Sequence, residues 1–89
     1  MDIRDFNASG RDIVARLAPR IDPEQARFIE EDAGAGEWEN ALTNLAASLI
    51  RHRVPISRSD RDDLTRLLDE LGTGSRYSAR LTIDDSSEP

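Results

Sequence analysis

The residues of this chain that could do chemistry fall in three places: a single imidazole, His52, a run of carboxylates from Asp22 to Glu39, and the guanidinium groups of Arg51, Arg53, Arg58 and Arg61 around a proline-marked turn. His52 would be the general base of a hydrolytic site, but such a base needs an activated nucleophile beside it. No motif in the 89 residues supplies one. It follows Leu49 by three residues and Leu45 by seven. That spacing sets it at the edge of an apolar helical face near a helix C-terminus, where an imidazole can serve the exposed carbonyls. The carboxylates do not form an ion cage. Glu30, Glu31 and Asp32 leave a helix about 100° apart, and the alternating oxygen ligands around a glycine that make a calcium loop are absent. The arginines raise a helix-turn-helix reading, with the second helix in a major groove. Asp60, Asp62 and Asp63 stand among them and would face phosphates. No catalytic residue, cofactor site or metal ligand set is therefore assigned.

The carboxylate run points elsewhere. Asp22, Glu24, Glu30, Glu31, Asp32, Glu37 and Glu39 are opposed by Arg27 alone, a balance of -6 that equals the formal net charge of the chain, 18 acidic against 12 basic residues. Acids in the first turn of a helix are stabilised by its dipole, which accounts for Glu24, Glu37 and Glu39. Glu30, Glu31 and Asp32 lie toward a C-terminus, where the dipole disfavours them. Residues set against local preference point to function. The reading is a partner-binding surface of Glu24, Glu30, Glu31, Asp32, Glu37 and Glu39, suited to a basic protein and repelled by a phosphate backbone.

Helices must position these residues. The first is expected over 10–18, with Ile13, Val14, Leu17 and Ala18 as its stripe, Ser9 as N-cap and Pro19 ending it. The second is expected over 23–33, with Asp22 as cap, Pro23 at the first position and Gly34 and Gly36 beyond the end. The third, over 37–52, aligns Trp38, Ala41, Leu42, Leu45 and Leu49 on one face and should be the hub of the core. "VPIS" then breaks to an extended link, and Ser57 or Ser59 caps a fourth helix striped by Leu64, Leu67, Leu68 and Leu71 and stopped by Gly72. Within it, Asp62 with Arg66 and Arg66 with Glu70 have the spacing of ion pairs. The fold class is all-α: one small four-helix bundle over 1–72, with a polar, mobile tail over 73–89 in which "ARLTI" is able to form a short extended piece.

A chain this short buries only about 60% of its unfolded surface, so it has room for one modest core and none for a cleft between domains. Cysteine is absent, so no disulfide framework is present, and every basic residue is arginine, which removes a Walker lysine, a Schiff-base lysine and a lysine base. "MDIRDFNASG" lacks the basic end and apolar run of a secretory signal, and no window approaches ~18 consecutive apolar residues. A soluble, cytoplasmic protein without membrane contact is expected.

"GEWENALTNLAASLI" followed by "VPIS" and a leucine-striped helix resembles the MafI-type immunity proteins of bacterial polymorphic toxin systems. Gly36-Glu37, Trp38, Ala41-Leu42, Asn44-Leu45 and Pro55-Ile56-Ser57 carry the likeness, over about residues 22–71. It implies a small, mostly helical, non-enzymatic protein that neutralises a cognate toxin domain and has no catalytic residues. Set beside the acidic run, it gives the expected function: an immunity protein that binds a toxin, a basic nuclease above all, through its acidic surface. The alternative is a small helical regulator or adaptor, as a homodimer or as an antitoxin whose arginine turn binds DNA.

Overall fold

A computed structural model of the chain describes residues 1–84. Four long helices form the bundle: α1 Ile3–Leu17, α2 Pro23–Gly34, α3 Trp38–Arg51 and α4 Arg58–Glu70. A short α5, Gly74–Tyr77, follows. Both α1 and α3 touch all the other long helices, and α2 and α4 occupy the remaining corners. The hub is thus shared between α3 and α1. No strand occurs among the described residues, whose only β feature is a parallel bridge between Ile56 and Ile83.

The first helix begins seven residues earlier than its apolar stripe suggested. Asp2, not Ser9, is the N-cap, its carboxylate accepting from the Arg4 N–H at 2.9 Å. Phe6 and Gly10 extend the buried stripe backwards from Ile13. Gly10 looked like a break because an interior glycine costs a helix roughly 1 kcal/mol against alanine. Here it is a seat: a β-carbon added at Gly10 would lie 2.8 Å from the Trp38 ring. Phe6 meets the same indole edge-on, with centroids 6.2 Å apart and planes at 82°. Trp38 is thereby buried between α1 and the start of α3.

Three helices end alike. At the end of α2 the Gly36 N–H reaches the Ala33 carbonyl at 3.1 Å and the Glu37 N–H reaches the Asp32 carbonyl at 2.8 Å, with Gly36 left-handed at φ 77. This is the Schellman closure. Gly72, φ 82, repeats it after α4, with the Thr73 N–H on the Leu68 carbonyl at 2.9 Å. After α3 the left-handed residue is Arg53, φ 51, with Val54 N–H on the Leu49 carbonyl at 2.9 Å. His52 is the C-cap just before it, exposed, its backbone N–H on the Ser48 carbonyl at 3.1 Å.

Residues 73–84 of the expected mobile tail are part of the fold. They fold back: Gly74 is buried so close to Asp69 that a β-carbon there would overlap the carboxylate, and Leu81 joins the core. Ile56 then pairs with the returning chain through its N–H on the Thr82 carbonyl (3.0 Å) and its carbonyl under the Asp84 N–H (2.9 Å). The rest of that expected tail, 85–89, lies outside the described residues.

Candidate functional site: the acidic face of the second helix

α2 is set by its ends and its stripe. Asp22 caps it, accepting from the Glu24 and Gln25 N–H groups at 3.1 and 3.2 Å, with Pro23 at the first position. Asp22 thus has a structural task. Ala26, Ile29 and Ala33 turn inward. Glu24, Glu30 and Glu31 are exposed and Asp32 is half-buried, in keeping with a face that looks away from the core and is flanked by Glu30 and Asp32. The Gly36 turn leads directly into α3, where Glu37, its N-cap, and Glu39 are exposed.

Between α1 and α4 several carboxylates are engaged. Arg16 of α1 reaches across to α4, pairing with Asp60 and with Asp63 at 3.2 Å, and also holds Asp12 on its own helix at 3.1 Å. Burial lowers the pKa of this guanidinium, and the charges of Asp60, Asp12 and Asp63 outweigh that effect, leaving it above the ordinary arginine value. Asp62 pairs with Arg61 at 3.1 Å, and Arg66 approaches Asp63 at 3.9 Å. The spacing had instead matched Arg66 with Asp62 and Glu70. Glu70 is used by the N-terminal amine at 3.5 Å. By contrast, no ion pair among the described residues engages Glu24, Glu30, Glu31, Asp32, Glu37 or Glu39.

Two further features of this face escaped the sequence reading. A groove of about 290 Å³ runs between α1 and α2, with Val14, Ala15, Ala33 and Gly34 inside and Arg11 and Glu30 on its rims. Phe28 stands exposed on α2, with the Arg27 guanidinium 5.8 Å from its ring centroid. The signal for Phe28 was present, since it falls off the stripe defined by Ala26, Ile29 and Ala33. The groove needed the packing of α1, which the sequence did not reveal. Of the arginines around the proline turn, Arg61 is paired with Asp62, while Arg51 and Arg53 are exposed at the end of α3.

Among the described residues no three histidine or acidic side chains are grouped to hold a metal ion. No helix there is long and apolar enough to cross a membrane. The chain belongs to a protein family of unknown function, DUF6189. The family model matches residues 1–85, so the four helices, the acidic face and the return through Leu81 and Ile83 all lie within the family's span. No curated protein and no solved structure matches the chain.

Proposed function

We propose that this protein is an immunity protein that binds a cationic bacterial toxin domain in the cytoplasm and blocks it with the carboxylates of α2 and the start of α3. The observation that carries the reading is selective pairing. Asp12 of α1 and Asp60, Asp62 and Asp63 of α4 are paired with Arg16, Arg61 and Arg66, whereas none of Glu24, Glu30, Glu31, Asp32, Glu37 and Glu39, on α2 and the start of α3, has an ion pair among the described residues. Open like charges on a rigid helix repel one another, and a positively charged surface relieves that repulsion. A nuclease suits the role best. Its substrate groove is cationic because it must hold phosphates, so an acidic helix competes for the same groups. The likeness of residues 36–57 to MafI-type immunity proteins supports the same reading.

Co-expression with the toxin domain encoded beside it tests the proposal. Growth should be rescued, and the two chains should co-purify. A toxin that kills equally well in the presence of the folded protein would contradict it. A helical regulator is the second reading, favoured by the exposed Arg51 and Arg53 at the end of α3. Duplex DNA binding that falls steeply with salt, and is lost when both are replaced by alanine, would decide for it.

A further inference from the structure

Phe28 is a large aromatic side chain in the middle of α2 that the core does not use. It is 49% exposed, while Ala26, Ile29 and Ala33 fill the buried face of the helix. The other large apolar side chains this exposed among the described residues are Met1 and Ile3, and both border a single depression with Phe6 and Leu71 at the start of α1. Helical spacing sets Glu24 one turn before it and Glu31 and Asp32 one turn after it. Arg27, the one cation within the acidic run, lies 5.8 Å from the ring centroid.

A polar residue would be better hydrated at this position. An aromatic group ringed by charge has instead the make-up of an interface centre, where a desolvated anchor is enclosed by a polar rim. We propose that Phe28 is the anchor of the acidic face: it inserts into an apolar pocket on a cationic protein whose basic side chains meet Glu24, Glu31 and Asp32. The inference rests on the reading of this face as a protein-docking surface, and not on what the partner does. A second copy of this chain does not fit, because a two-fold contact here would set the same carboxylates against each other. Nor does an anionic membrane, which repels the rim. The two parts act on different rates. The rim charges steer the encounter and set association, and the buried anchor sets dissociation.

The test places a photo-crosslinker in the full chain, as Phe28→p-benzoylphenylalanine or, for comparison, Ile3→p-benzoylphenylalanine, in cells of the native organism. The protein captured through position 28 is identified, purified and measured against wild type, Phe28→Ala and Glu31→Arg. A basic partner is expected at position 28 and not at position 3. Phe28→Ala, with an unchanged melting temperature, should dissociate about 30-fold faster or more while associating within about 2-fold of wild type. Glu31→Arg should act chiefly on association. A cationic partner that is not a toxin leaves this inference standing and removes the immunity reading. A toxin released no faster by Phe28→Ala does the reverse. An acidic partner, or none captured through position 28, overturns the inference.

Discussion

At the residue scale, the tightest constraint in the molecule is the indole of Trp38 lying on Gly10, with Phe6 at its edge. Trp38→Ala removes most of that contact and should cost about 3–5 kcal/mol, a large share of the roughly 4–13 kcal/mol available to a domain of this length. An unchanged melting temperature would contradict the placement. Two glycine substitutions should move stability in opposite directions. Gly10→Ala gains helix propensity but drives a methyl group to 2.8 Å from the ring, and overpacking of that kind outweighs the gain, so a net loss of about 1 kcal/mol is expected. Gly34→Ala meets no atom within 4 Å at a helical position and should stabilise by about 0.5–1 kcal/mol. Equal shifts in chemical denaturation would refute the contrast. Arg53 occupies the left-handed position that glycine holds at Gly36 and Gly72. Arg53→Gly should therefore raise stability by about 0.5–1 kcal/mol, and a fall in the denaturation midpoint would show that its side chain does more than close the helix.

At the scale of elements, the returning segment after α5 is a working part of the bundle. Leu81 is 7% exposed and the neighbouring chain bonds both backbone groups of Ile56. Leu81→Ala should lower stability by about 2–3 kcal/mol, measured by urea unfolding, while a near-zero change would mean the segment only rests on the surface. The segment also marks where sequence reading stops. Helices α2, α3 and α4 were legible because their signals are local: Asp22 and Pro23 open α2, Gly36 and Gly72 close α2 and α4, and the Trp38-to-Leu49 stripe has helical spacing. The start of α1 was not, because Gly10 and Ser9 imitate a boundary, and the reason for glycine is a tryptophan 28 positions later. The pairing of Ile56 with Ile83 and the strap from Arg16 to Asp60 and Asp63 are contacts across the chain, and no periodicity encodes them. On the candidate site, the outward position of Glu24 and Glu31 followed from the α2 stripe alone. The pairing that leaves these carboxylates open while occupying Asp60, Asp62 and Asp63 of α4 became visible only in three dimensions.

At the scale of the whole molecule, charge is separated along the bundle. α3 opens beside Glu37 and Glu39 and ends in Arg51 and Arg53, an arrangement that its dipole stabilises at both ends. α2 has no such excuse, since Glu30, Glu31 and Asp32 crowd its C-terminal half and no basic residue stands in its last turn. The central claim is that this unfavourable placement is kept because a cationic partner docks there. The direct measurement is the association rate constant with the purified cognate toxin domain, for wild type and for the double variant Glu31→Arg, Asp32→Arg, followed as salt rises and the screening length falls from about 30 Å at 0.01 M to about 8 Å at 0.15 M. Wild type should associate rapidly at low salt and slow steeply as salt is added. The double variant, with the same circular dichroism, should be slower throughout and nearly flat. Equal rates with equal salt slopes in a folded double variant would contradict the claim.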